Sequence, residues 1–158
     1  MNQLTQQLKS GKMEILEVPF PSLGKGQVLV RNHYSVISAG TEGKTVSDAR
    51  KGYIAKAKSR QKEVKQVIEL IKTNGLLDTY KLVMNKLEAP AALGYSCAGE
   101  VIAVGDNVER FKVGDFVACG GQGAYHADVV SVFSNLCVKI PKDTNLKHAA
   151  FTTIASIA

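Results

Sequence analysis

From Gly94 to Gly120 the chain reads GYSCAGEVIAVGDNVERFKVGDFVACG, β-branched runs cut short by Gly-Asp corners. Gly99, Gly105 and Gly114 recur too often for a helix, and the runs between them have the length and composition of strands. Glycine permits positive φ and aspartate bonds nearby backbone, so Gly105-Asp106-Asn107 and Val113-Gly114-Asp115 read as turns. Between them the pattern predicts a strand carrying Val108 and Phe111, and after them a strand from Phe116-Val117. Short strands joined by such corners build a small barrel or a sandwich.

The same character extends in both directions. MEILEV, the turn PFPSLGKG and QVLVRNHYSVIS fill residues 13–38. Val28, Val30, Asn32, Tyr34 and Val36 alternate with Leu29, Arg31, His33, Ser35 and Ile37, the period of a pleated strand. Downstream, VIAVG, DFVAC, YHADVVSV and LCVKIP are further strand candidates. The segment between these β regions differs. From Lys44 to Leu87, apolar Val64, Val67, Ile68 and Ile71, then Leu76, Leu77, Tyr80, Leu82 and Val83, fall at helical spacing. Asn74-Gly75 is a helix stop, with Lys72 placed for the C-terminal dipole, and a shorter helix is expected near residues 46–58. The last stretch, LKHAAFTTIASIA, reads as the beginning of a helix that is cut off, as in a truncated chain.

Composition excludes several classes. With 158 residues, 45% apolar content, 14 Gly and 4 Pro, the chain has the profile of one globular domain. No apolar run approaches the length of a membrane span, and the polar N-terminus has no signal-peptide centre, so the cytoplasm is the expected compartment and no membrane partner is expected. Cys97, Cys119 and Cys137 lie in no zinc-type spacing and cannot all pair with one another; they read as small buried core residues. Residues 44–90 carry 11 Lys and Arg against 5 Asp and Glu, and the remaining residues carry 9 of each, so this one segment holds the whole net charge of +6. KGYIAKAKSRQKEVKQ could attract phosphate-rich ligands or close as a lid over an anionic substrate. With one aromatic, Tyr53, and no nucleic-acid motif, a solvated helix face is the favoured reading and nucleic acid is not expected as a partner.

The run G-Y-S-C-A-G-E-V-I-A-V-G-D-N-V-E-R-F-K-V-G-D-F-V resembles the N-terminal, GroES-like domain of the medium-chain dehydrogenase/reductase superfamily, which holds the zinc alcohol dehydrogenases and the quinone reductases. PSLGKGQVLVRNHYSVISAGTE resembles the family's first strands and the loop after them. GGQGAYHADVVSV is similar to the stretch that closes the barrel, and HAAFTTIASIA to the helix that hands over to the cofactor domain. The resemblance covers residues 13–43 and 90–158 and leaves the helical segment outside. It implies a mainly β fold with a helical insertion (α+β): a partly open GroES-like barrel, helices at about 44–90, and the start of a handover helix, all in a single domain over residues 1–158.

Catalytic zinc needs three protein ligands and an open fourth position. In zinc members of the resembled family, the first ligand is a Cys that falls on Ala39 of Ala39-Gly40-Thr41-Glu42. The second is a His that falls on Tyr95, and the acidic residue after it falls on Ser96. The third falls near Ile154, in a stretch without Cys, His or acid. The four-Cys structural lobe is absent too, since Cys119 is followed by GGQGAYHADVV; His126 is the one imidazole that could approach Cys119. His33 and His148 read as surface or structural residues. The resemblance therefore implies a zinc-independent member. Thr41 and Tyr95 are its candidate catalytic hydroxyls, and Ser38, Glu42 and Ser96 would line the same substrate cleft. Tyr95 could bond or protonate a substrate carbonyl, or it could only fill the volume a metal vacates.

Hydride chemistry of this kind belongs to the nicotinamide. The G-x-G-x-x-G turn that holds its pyrophosphate is not found, and GGQG at 120–123 lacks the spacing. NAD or NADP is thus expected in the full-length protein, bound mainly by a missing Rossmann domain of the same chain, with no zinc and no activity from this fragment alone. The helical segment followed by LGYSCAGE further resembles bacterial two-module oxidoreductases associated with sugar or nucleotide-sugar pathways. A small-molecule substrate is implied, and a homo-oligomer of the full-length protein stays open. Two rival readings remain: a non-catalytic GroES-like binding or assembly module, because fold does not fix function, and a degenerate family member without activity.

Overall fold

The computed structural model describes residues 1–7, 9–40, 42–43 and 61–157. The helix expected near 46–58 and most of the basic run after it lie outside these residues. Eight strands are seen: β1 (Asn2–Gln7), β2 (Met13–Glu17), β3 (Gln27–Ser35), β4 (Pro90–Ala92), β5 (Ser96–Val104), β6 (Phe116–Gly120), β7 (Val129–Phe133) and β8 (Cys137–Lys139). Among the described residues four α-helices accompany them: α1 (Gln61–Asn74), α2 (Leu76–Glu88), α3 (Leu146–Ala149) and α4 (Thr152–Ile157). The strands form a three-stranded sheet of order β2-β1-β4 and a five-stranded sheet of order β7-β3-β5-β6-β8, and neither sheet closes on itself. The fold is the expected α+β arrangement, mainly β with a helical segment.

The chain divides into two compact units, residues 1–5, 14–38 and 92–158 in one, and 6–13 and 39–91 in the other. In the first, β3 and β5 pair antiparallel from Val28 opposite Val104 to Ser35 opposite Cys97, and β7, β6 and β8 extend the sheet. Alternation along these strands sends Val28, Val30, Cys97, Val101, Val117, Cys119, Val130 and Val132 into one core, each 2% exposed or less. Gly99 lets β3 and β5 approach, because a Cβ there would overlap the Arg31 carbonyl.

In the second unit, α1 ends where the sequence predicts. Gly75 takes φ 79°, its N–H closes the last turn onto the Ile71 carbonyl at 2.9 Å, and α2 starts directly after it. Lys9 and Glu88 form a 2.8 Å ion pair on this unit's surface.

Two local features differ from expectation. No strand carries Val108 and Phe111. The backbone of Val101 bonds instead to Gly114 and Asp115, while Phe111, 5% exposed, plugs the core from a loop. Conversely, NQLTQQ is a strand, β1, despite its polar composition. Thr5 and Gln6 are buried on it, and the Thr5 hydroxyl donates to the Glu14 carbonyl at 3.1 Å.

Candidate active site

The approach to β5 builds the site. Gly94 stands at φ 106° with the His126 backbone packed against its Cα, leaving no room for a side chain. Tyr95 follows, half-buried, its carbonyl accepting the Gly121 N–H at 2.8 Å. Ser96 is fully buried. Its hydroxyl donates to the Ala150 carbonyl at 2.6 Å, and its own carbonyl accepts the Val36 N–H at 3.0 Å. The segment leading to Ser38 thus runs beside Tyr95-Ser96.

The C-terminal helices are seated by the same strand ends. Asn145 caps α3 through its side chain, which accepts the Lys147 N–H at 2.9 Å. The Thr153 hydroxyl donates to the Cys119 carbonyl at 3.3 Å, and Gly120 admits Thr153, which any Cβ there would strike. Ile154 is half-buried on the same helix.

The sequence-derived site residues separate as follows. Ser38, Tyr95 and Ser96 belong to the first unit and Glu42 to the second; Thr41 lies outside the described residues. Ser38 is half-buried and Glu42 is 7% exposed, and both are engaged by neighbours. Ser96 gives its proton to Ala150 and has no exposed surface, so it anchors the helix region. Tyr95 is the one half-buried side chain of the Gly94–Ser96 turn that carries a hydroxyl able to donate to a carbonyl.

A second polar cluster was not anticipated from the sequence. His126 does not reach Cys119; its Nδ1 is 2.8 Å from the Ser35 hydroxyl. Asn32 donates from Nδ2 to the Tyr125 and Ala127 carbonyls, at 3.0 and 2.8 Å. Asn32, Ser35, His126, Ala127 and Asp128 line a shallow cavity of about 290 Å³. The sequence signal was present in the polar residues of AYHAD, but their partners on β3 are more than ninety positions away.

Comparison with known proteins gives a family match over part of the chain. Residues 68–142 match the alcohol dehydrogenase GroES-like domain, a stretch that opens inside α1 and closes just after β8. Over that stretch the chain is similar to alcohol dehydrogenase GroES-like domains. It is 31% identical to the (R,R)-butanediol dehydrogenase of Bacillus subtilis over 94 residues, 44% of this chain and 27% of that protein. The fold matches the quinone oxidoreductase of Coxiella burnetii with a TM-score of 0.67 at 20% identity, over 99% of this chain and 42% of that one. It also matches Escherichia coli quinone oxidoreductase, whose structure is complexed with NADPH, with a TM-score of 0.59 at 17% identity over 95% of this chain and 36% of that one. The chain spans well under half the length of these relatives.

The three positions at which the resemblance places zinc ligands carry no side chain of the usual ligand types. Ala39, Tyr95 and Ile154 offer no thiolate, imidazole or carboxylate, and among the described residues no group of three or more His, Cys, Asp or Glu could hold an ion. Nor does the Gly-rich run at residues 120–123 fit a dinucleotide. Gly120 makes room for Thr153 and Gly123 for the Ser131 carbonyl, and GGQG leads from β6 toward β7 and not into a helix N-terminus. No helix of the described residues is long and apolar enough to cross a membrane.

Proposed function

We propose that this GroES-like domain is the substrate-side part of an NAD(P)-dependent oxidoreductase that works without zinc, its cofactor held mainly by a dinucleotide-binding domain elsewhere in the protein. In this reading the chain is a single domain with a helical insertion, and it is inactive alone. The quinone oxidoreductases of like fold and the butanediol dehydrogenase support the reaction class. The observation that carries the proposal is Tyr95, a half-buried phenol at the position of a metal ligand in zinc members, next to a serine already committed to structure.

The Tyr95 hydroxyl then bonds the substrate carbonyl and supplies the proton that its oxygen takes up on reduction. Thr41 is proposed as a second donor, with Ser38 and Glu42 lining the cleft, and Ser96 acts through Ala150 by fixing the helices behind it. The substrate is a small carbonyl or alcohol, with sugars and nucleotide sugars as the proposed class and the cytoplasm as the proposed compartment.

The test uses the full-length protein with NADPH or NADH and a panel of carbonyl substrates. Tyr95→Phe is expected to lower kcat about 100-fold, the usual scale of proton-transfer catalysis, and a strong chelator to leave the rate unchanged. An unchanged kcat in Tyr95→Phe removes the phenol from the chemistry. Loss of activity with the chelator and recovery with zinc removes the zinc-independent reading.

A further inference from the structure

The three cysteines, far apart in sequence, form one row across the sheet. Register places Cys97 opposite Cys119 on β5 and β6, and Cys119 opposite Cys137 on β6 and β8. All three side chains enter the same core, 0%, 1% and 5% exposed.

The two pairs are not equivalent. The Gly121 N–H bonds to the Tyr95 carbonyl and the Val101 N–H to the Asp115 carbonyl, so every second facing pair between them, Cys97 with Cys119 included, is a hydrogen-bonded pair, the wider kind. On the other side, the Ile140 N–H bonds to the Phe116 carbonyl. That puts Cys119 and Cys137 in a non-hydrogen-bonded pair, where Cα atoms stand about 4.5 Å apart and side chains are closer. A disulfide needs Cβ atoms within about 3.5–4.5 Å, which narrow pairs approach and wide pairs do not. Consistently, the Cys119 and Cys137 sulfurs are 3.6 Å apart.

We propose that Cys119 and Cys137 are a built dithiol that a hydroperoxide oxidises to a cross-strand disulfide, stapling the edge strand β8 to β6 and leaving Cys97 reduced. The Cys137 thiolate attacks one peroxide oxygen; the O–O bond breaks, hydroxide leaves, and Cys137 becomes a sulfenic acid. The Cys119 sulfur then attacks the Cys137 sulfur and the sulfenic oxygen leaves as water with the Cys119 proton. Two thiols lose two electrons in total, and one hydrogen peroxide becomes two waters.

The order of attack follows from position. Cys137 sits on a three-residue edge strand that opens more readily than the sheet centre. Its thiol is shifted down by the hydrogen bond with Cys119 and by the Arg110 charge, against the effect of burial. Cys119 is pushed up by Cys137 and Cys97 and by burial, so it is the resolving thiol, protonated until the sulfenic acid forms beside it.

The experiment is prolonged exposure of the 158-residue chain to hydrogen peroxide. Unfolding in an alkylating agent and a non-reducing peptide map follow. A linked peptide pair containing Cys119 and Cys137, with Cys97 alkylated, is expected, together with a thermal midpoint about 5–10 °C higher that dithiothreitol reverses. Cys97→Ala should form the same link. A Cys97–Cys119 link as the main product overturns the proposal. So does alkylation of all three cysteines, or conversion of Cys137 to a sulfinic acid with no bridge.

Discussion

The Ser96 hydroxyl donates to the Ala150 carbonyl at 2.6 Å, joining the first residue of β5 to the helix region 54 positions later. Both residues are fully buried. A carbonyl in that setting has no water to turn to, so its partner matters more than the mean worth of a hydrogen bond. Ser96→Ala is expected to cost about 1–3 kcal/mol, the penalty for a buried acceptor left unsatisfied, and to raise amide exchange across residues 146–157 before the rest of the sheet. A urea midpoint equal to wild type would show that the hydroxyl anchors nothing.

Gly99 and Gly40 provide a matched contrast. A Cβ at Gly99 would strike the Arg31 carbonyl, backbone held in the β3–β5 ladder, whereas one at Gly40 meets open space. Gly99→Ala must push apart the two central strands of the five-stranded sheet, and a loss of about 3 kcal/mol or more is expected from overpacking. Gly40→Ala should stay within about 0.5 kcal/mol of wild type. Equal denaturation midpoints for the two variants would contradict the close packing of β3 on β5.

Much of this first unit was legible beforehand, and the failures have physical causes. β3 and β5 announce themselves because one face of each is apolar and the β-branched residues alternate, as Val28 and Val30 do. β1 gave no such signal, since its buried positions are Thr5 and Gln6, whose polarity is met partly by the segment that follows, as by the Glu14 carbonyl. The segment around Val108 reads as a strand locally, but the ladder position it needs is taken by Gly114 and Asp115. The surrounding pattern picked out Tyr95 and Ser96 as candidates without saying what each does. The commitment of Ser96 to Ala150, the His126–Ser35 pair and the cysteine row depend on register, which spacing alone does not carry.

Gly75 tests the join between α1 and α2. At φ 79° and ψ 166° it occupies a positive-φ extended region that is in practice open to glycine alone and costs any side chain about 1–3 kcal/mol. Open space surrounds its Cα, so the penalty is conformational alone. Gly75→Ala and Gly75→Asn should both lower stability, by about 1–3 kcal/mol, read from helical circular dichroism in urea. If either variant is as stable as wild type, the junction does not hold this conformation.

Asp115 links pH to the corner between β5 and β6. One carboxylate oxygen, Oδ2, accepts the Lys139 ammonium at 2.8 Å and the Lys112 N–H at 2.9 Å. The Lys139 hydrogen bond, then the Lys112 backbone bond, hold its pKa below the ordinary 3.8, against a smaller opposing effect of burial. A depressed folded-state pKa stabilises fully above the unfolded value, and that contribution disappears as pH falls through the folded value. Lys139 is half exposed, so the ion pair is worth about 1 kcal/mol or less. Asp115→Asn should therefore lower the urea midpoint by a constant amount above about pH 5, and the gap from wild type should narrow as the pH is taken below the ordinary carboxylate value. A gap that widens on acidification would mean that the protonated form is the one this corner stabilises.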